Sequence, residues 1–233
     1  MVFYLKINII MRELLKRLDR NILKWAYQKK YKQSLVINLL IFMGDGPFWM
    51  IVVLFFALIG QFFDIESVSH SANLLIFGLM LSNFMFSPLK KKIKRKRPYA
   101  NSQMQKEINL KIDNRDLRHG SKEFESFPSG HAFWTSLSVF IIISQFGIVS
   151  IFIIGWLIPI MIYLRLHLGV HYPSDVIAGF LFGAINAMIT IYLSPTIKNL
   201  IDNLKHYDFF IVLYWVFIAF FLIIGFKSWS KRV

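Results

Sequence analysis

The strongest constraint on this chain is where its apolar runs stop. Six runs, at about residues 47–63, 73–89, 131–147, 148–165, 175–193 and 208–226, have the length and hydropathy of membrane-crossing segments. Backbone N–H and C=O groups must be satisfied internally in hydrocarbon, so such runs are expected to be helices. Successive spans alternate in direction. The end of the second, the start of the third, the end of the fourth and the start of the fifth therefore meet at one membrane face. Those four ends carry Lys90, His131, Arg165 and Asp175. The expected fold is all-α, a multi-pass transmembrane helical bundle of about six spans, preceded by an N-terminal amphipathic interfacial helix.

Composition supports this reading. A chain of 233 residues that is 56% hydrophobic and 17% aromatic is too apolar for one soluble core and fits one integral-membrane domain. Cysteine is absent, which excludes a disulfide framework and a Cys-based metal site, and the six scattered histidines support no metal cluster. The formal net charge of +14 does not point to nucleic acid, because the basic residues flank apolar spans and no soluble reading module accompanies them. Anionic lipid is the expected partner, since juxtamembrane Lys and Arg each gain roughly 1 kcal/mol at an anionic leaflet.

Residues 11–27 place Met11, Leu14, Leu15, Leu18, Ile22, Trp25 and Ala26 on one helical face, with Arg12, Lys16, Arg17, Arg20 and Lys24 over the rest. That charge density forbids spanning and suits a helix lying in the interface. The alternative is a helix packed on the protein's own face. The start also lacks the order of charge, apolar stretch and small residues that marks a signal peptide. Leu35–Met43 is too short to cross, and Gly44-Asp45-Gly46-Pro47 interrupts it, so it reads as a second interfacial piece. The expected organisation is a basic amphipathic interfacial segment at 1–45, an integral-membrane unit at 46–226 and a basic tail at 227–233. Within the unit, Tyr99–Phe127 is the one long polar insertion; it includes Asp113-Asn-Arg-Asp116 and Arg118-His-Gly-Ser121, and must hang over the shared face. Pro159 should kink the fourth span.

Three strings hold the chemistry: Lys90-x6-Arg97-Pro98, Pro128-Ser129-Gly130-His131 and Arg165-x5-His171-x3-Asp175. A site that cleaves a phosphate ester must compensate charge on several oxygens, supply a nucleophile and protonate the leaving oxygen. Arg97 and Arg165 offer planar forks, Lys90 a point charge, and Ser129 and the Gly130 N–H further donors at a helix start. His171 and Asp175 are spaced i, i+4, so the carboxylate can orient the imidazole for attack on phosphorus. His131 then remains as general acid. Each string alone has a plainer reading: a helix cap, lipid-headgroup anchors, or a topogenic charge block. Lys91, Lys92, Lys94, Arg95 and Lys96 are assigned to orientation and lipid attraction; His70, His119, His167 and His206 are read as structural or exposed.

At these residues the chain resembles the type 2 phosphatidic acid phosphatase (PAP2) superfamily, whose signature is Lys-x6-Arg-Pro, Pro-Ser-Gly-His and Ser-Arg-x5-His-x3-Asp. The one departure is Leu164, where the signature has Ser. The resemblance covers residues 47–193. It implies that His171 is the nucleophile of a phosphohistidine mechanism, Asp175 its orienter and His131 the acid. Lys90, Arg97, Ser129, Gly130 and Arg165 would form the phosphate cradle. No metal or other cofactor is implied. Soluble acid phosphatases and vanadium haloperoxidases share the signature, but the apolar spans resemble the lipid-phosphatase branch. Implied substrates are phosphatidic acid or phosphatidylglycerol phosphate first, with polyprenyl (undecaprenyl) pyrophosphate or lipid A phosphate as alternatives. A non-catalytic protein that binds anionic lipid is the reading from another class. The sequence does not fix the oligomeric state.

Of the 27 Lys and Arg residues, all but Lys198 and Lys205 fall on the motif side of the alternating spans. The positive-inside rule then places both termini and the site on the cytoplasmic side of an inner (cytoplasmic) membrane. Many relatives have an outward-facing site and three spans before the first motif, where this chain shows two.

Overall fold

The computed structural model describes residues 2–116 and 123–230. Arg118-His-Gly-Ser121 and residues 231–233 of the tail lie outside the described residues. Among the described residues every regular element is helical: α1 (Val2–Tyr27), α2 (Leu35–Met43), α3 (Gly46–Phe62), α4 (Glu66–Ile93), α5 (Ser102–Glu107), α6 (Gly130–Phe146), α7 (Val149–Ile154), α8 (Leu157–His167), α9 (Pro173–Tyr192), α10 (Ser194–Leu204) and α11 (Asp208–Ser230). A short 3-10 turn, Pro98–Ala100, follows the first motif.

Local chemistry sets the boundaries. Ser34 caps α2, its side chain accepting from the Ile37 N–H at 3.2 Å. Pro47 and Pro173 sit in the first turns of α3 and α9, where a missing N–H costs nothing. Pro159 has no N–H for the Gly155 carbonyl and its ring crowds that oxygen, and the fourth apolar run breaks there into α7 and α8. The freed carbonyl accepts instead from the Ile158 N–H at 3.2 Å. The helix is interrupted at Gly155 and Trp156, about one turn before the proline.

All six apolar runs are helical, as the expected all-α transmembrane bundle requires, and the helices differ in how fully they meet the length of a membrane crossing. By length and composition α4, the α7–α8 segment Val149–His167, α9 and α11 can cross, while α2 and α3 form a pair bent by 71° that makes at most one more. α6 is the short one. α6 has 17 residues, about 26 Å at 1.5 Å per residue, and its first turn is buried in protein, with Gly130, His131, Ala132 and Phe133 all enclosed. Backbone recessed in protein need not reach through lipid.

The core is a bundle of α3, α4, α6 and α9, closed by α8 and α11. Trp49, Val53 and Ala57 of α3 meet Leu74 and Leu75 of α4, Phe133, Leu137 and Ile141 of α6, and Ile218 of α11 in one buried cluster. Lipid tails are as apolar as these side chains, so close packing rather than hydrophobic burial must hold the bundle. α9 supplies it with Gly179 and Gly183, one turn apart: a Cβ at the first would strike the Ser129 carbonyl oxygen, and at the second the Phe133 carbonyl oxygen and the Ser136 hydroxyl. Asn186 ties α9 to α4 by donating to the Gly78 carbonyl at 3.1 Å.

α1 lies across the motif end of this bundle, against α8 and α9. Leu23, Ala26 and Tyr27 are buried inward. Leu23 and Tyr27 pack with Met104, Ile108 and Ile112 of the polar insertion, so the first half of that insertion is a packed layer rather than a free loop. Leu14, Leu15, Leu18, Ile22 and Trp25 point outward and are exposed. The helix is packed on the protein along one face and exposes these apolar side chains along the other. α2 folds onto the bundle too, Ile41 packing with Leu164, Leu168 and Val170.

Candidate active site

His171 lies between α8 and α9, 1% exposed. Its Nδ1 is 2.7 Å from the Ser126 carbonyl oxygen. A carbonyl only accepts, so Nδ1 carries the proton and Nε2 keeps its lone pair. The Arg97 guanidinium approaches that Nε2 at 3.5 Å and donates to the Val170 carbonyl at 3.3 Å. Burial, then the cations Arg97, Arg165 and Lys90, hold the imidazole well below the ordinary histidine value. It is neutral where most histidines begin to protonate, and a neutral imidazole is what a nucleophile requires.

Arg165, at the end of α8, is fully buried, with Nη1 2.8 Å from the equally buried Asp116. Its Nε and Nη2 have no hydrogen-bond partner among the described residues, and the same holds for the buried hydroxyl of Ser129. Ser129 caps α6 and its N–H donates to the Asp175 carbonyl oxygen at 3.0 Å, which locks the second motif to the third. Gly130 is the first residue of α6 and is buried beside it. Lys90 is half-buried, donates to the Glu125 carbonyl at 3.1 Å and lies 4.8 Å from the Phe86 ring centroid. Buried donors of this kind are costly unless a group arrives to accept from them.

His131, in the first turn of α6, is 3% exposed and its Nε2 lies 3.1 Å from a carboxylate oxygen of Asp45. Asp45 comes from the break between α2 and α3. That break reaches the imidazole because of Gly44, where a Cβ would sit 2.6 Å from the His131 Cδ2 atom. The segment read as a mere interruption thus forms one wall of the site.

Asp175 departs from the expected geometry. Its carboxylate is 3.8 Å from His171 Nδ1, too far for a hydrogen bond. It accepts instead from Ser126 Oγ at 2.5 Å and the Tyr172 N–H at 2.9 Å, and pairs with Arg95 at 2.5 Å. At the third residue of α9 the carboxylate is captured by the helix's own capping arrangement, so it reaches the imidazole through Ser126.

The structure therefore brings His171, Lys90, Arg97, Ser129, Gly130, Arg165 and His131 together at the motif end of the bundle, with Asp175 behind Ser126. Sequence reasoning missed Asp45, Asp116, Ser126 and Arg95 as members of the site. Asp45 had a signal, a lone carboxylate inside an apolar window. Arg95 was hidden among lysines, and a single serine in the polar insertion gave no signal for Ser126. His167 is structural as expected, buried with Nδ1 2.9 Å from the Ala26 carbonyl oxygen and stacked on Tyr163. His70 bonds Ser194 at 2.7 Å, and His206 is exposed.

Fold and site together define a helical membrane protein with buried arginines gathered near a buried imidazole. The PAP2 superfamily model matches residues 71–199, more than half of the chain, and the chain belongs to that superfamily, with the fold of its membrane lipid phosphatases. Among solved structures it is similar to the transmembrane PAP2-type phosphatidylglycerolphosphate phosphatase from Bacillus subtilis, at 20% identity and a TM-score of 0.60, covering 84% of this chain and 94% of that one. It is also similar to Aquifex aeolicus LpxE, at 20% identity and a TM-score of 0.57, covering 74% and 93%. A search of curated proteins gives no match.

Proposed function

We propose that this protein removes a phosphate from a membrane lipid, without a metal ion, through a phosphohistidine on His171. One observation carries this reading: a buried imidazole, its Nδ1 tied to a carbonyl and its Nε2 left with a lone pair, stands among the donors Lys90, Arg97 and Arg165. Nε2 attacks phosphorus, the P–O bond to the lipid breaks, and His131 gives its proton to the leaving oxygen. Water then attacks the phosphohistidine with His131 as base, freeing inorganic phosphate and His171. The cradle stabilises charge on the equatorial oxygens as the transition state forms.

The proposed substrate is a phosphomonoester of the phosphatidic acid or phosphatidylglycerol phosphate type, in keeping with the name of the Bacillus subtilis structure. The same chemistry accommodates a polyprenyl pyrophosphate or a lipid A phosphate. Phosphate release from a panel of these lipids in detergent, with and without chelator and alongside His171→Ala, tests the proposal. Loss of all activity on chelation alone counts against it, and strong preference for the polyprenyl pyrophosphate changes the substrate. Binding of anionic vesicles that ignores His171→Ala but weakens with each lysine removed from 91–96, together with no turnover, supports the non-catalytic reading.

The membrane arrangement follows from charge. Residues 1–45 are proposed to lie at the interface, with Leu14, Leu15, Leu18, Ile22 and Trp25 toward anionic lipid. The integral unit is 46–226 and the basic tail 227–233. With only Lys198 and Lys205 on the far side, the site and both termini are placed in the cytoplasm, at the inner membrane.

A further inference from the structure

Asp19 is an acidic residue in a strongly basic helix, and it faces inward, 6% exposed. It lies outside the three motifs and before the residues that match the superfamily. Its carboxylate accepts from the Ser174 N–H at 2.8 Å and the Ser174 hydroxyl at 2.6 Å, and pairs with Arg95 Nη2 at 2.7 Å. Arg95 lies over the Tyr172 ring, 4.1 Å from its centroid, and extends Nη1 to Asp175. One guanidinium thus bridges two buried carboxylates, one from α1 and one from the start of α9. Without it, Asp19 and Asp175 would be two like charges held together out of water.

The same arginine sets Ser126 from two sides. The Arg95 carbonyl accepts the Ser126 N–H at 3.0 Å, and the guanidinium holds the carboxylate that accepts from Ser126 Oγ. Ser126 is left with its carbonyl aimed at His171 Nδ1. We propose that Asp19, acting through Arg95, Asp175 and Ser126, is a positioning residue for the nucleophilic imidazole, so that α1 is a working part of the active site. If Asp19 is removed, Arg95, whose side chain is 30% exposed, can turn toward solvent, and Asp175 and Ser126 lose their fixed frame. The helix itself stays in place, because Leu23 and Tyr27 remain buried, Arg20 pairs with Glu107 at 2.6 Å and Lys24 donates to the Ile108 carbonyl at 3.0 Å.

The inference rests on the reading of His171 as nucleophile. Its test uses the full chain in detergent, a lipid phosphate as substrate and inorganic phosphate as inhibitor. Asp19→Ala is expected to lower kcat about 10- to 100-fold, the scale of a small misplacement of a reacting group. KM and the inhibition constant for phosphate should stay within about twofold of the parent, because the cradle is untouched. Asp19→Asn, which keeps an acceptor for Ser174 but not the charge toward Arg95, should fall between parent and alanine, and it decides the matter if the alanine variant does not fold. The double variant with Arg95→Ala should be no slower than Arg95→Ala alone. Parent-like kcat in the Asp19 variants, a phosphate constant that worsens in step with kcat, or additive losses in the double variant would each overturn the proposal. His171→Ala runs in parallel: if it turns over normally the phosphohistidine reading fails, whereas an inactive His171→Ala beside fully active Asp19 variants removes only the role of Asp19.

Discussion

His171 donates Nδ1–H to the backbone carbonyl of Ser126 at 2.7 Å. The imidazole is thus oriented by a main-chain group, and the carboxylate that the motif spacing suggests for this task stands one residue behind it. A carbonyl cannot be deleted by mutation, so the orientation should survive loss of the Ser126 hydroxyl in part. Ser126→Ala is expected to lower kcat about tenfold, while His171→Ala abolishes turnover. Steady-state kinetics on one lipid phosphate compares the two; equal losses would show that the hydroxyl matters as much as the nucleophile.

The covalent step has its own signature. Enzyme quenched in alkaline detergent after reaction with labelled substrate should carry a phosphoryl group that is stable to base, lost in acid and missing from His171→Ala. A labelled adduct of unchanged yield in that variant would assign the nucleophile elsewhere.

His131 should matter in proportion to the leaving group. With a lipid alkoxide leaving, His131→Ala is expected to lose about 10²- to 10⁴-fold, and with an activated aryl phosphate far less. Equal losses on both substrates would refute the general-acid role.

The pH dependence follows from the direction in which His171 is displaced. Its imidazole must be neutral to attack, and burial plus Arg97, Arg165 and Lys90 hold its pKa well below the ordinary value of about 6.5. Activity should therefore persist through that pH and fall only as the pH drops through the lowered value. Lys90→Gln removes one repelling cation, so its acid limb in kcat/KM should move to higher pH. Taking the ratio of variant to parent at each pH cancels the substrate's own titration. A limb that moves down or stays fixed contradicts the assignment.

Gly183 tests the packing. A side chain there meets the Phe133 carbonyl and Ser136, so Gly183→Val should destabilise the bundle by about 1–3 kcal/mol, read as a lower thermal midpoint in detergent. An unchanged midpoint would mean that α6 and α9 can separate without loss.

Much of this molecule was legible in the chain. Hydropathy located all six apolar runs as helical, because an apolar run in lipid has no alternative to internal hydrogen bonding. Pro159 announced the break between α7 and α8 by the bond it cannot make. Alternation of spans suffices to bring Lys90, His131, Arg165 and Asp175 to one face. These are properties of single segments and of their order, and a sequence carries both.

What tertiary structure alone decided are contacts between segments far apart in the chain. The spacing of His171 and Asp175 allowed a direct bond, but capping of α9 drew the carboxylate to Tyr172 and Ser126. Asp45 reached His131 from the bend between α2 and α3, Asp116 met Arg165 from the polar insertion, and Asp19 met Arg95 from α1. A buried charge takes whichever opposite charge the packing brings within reach. That choice depends on how helices dock, which local sequence pattern does not encode.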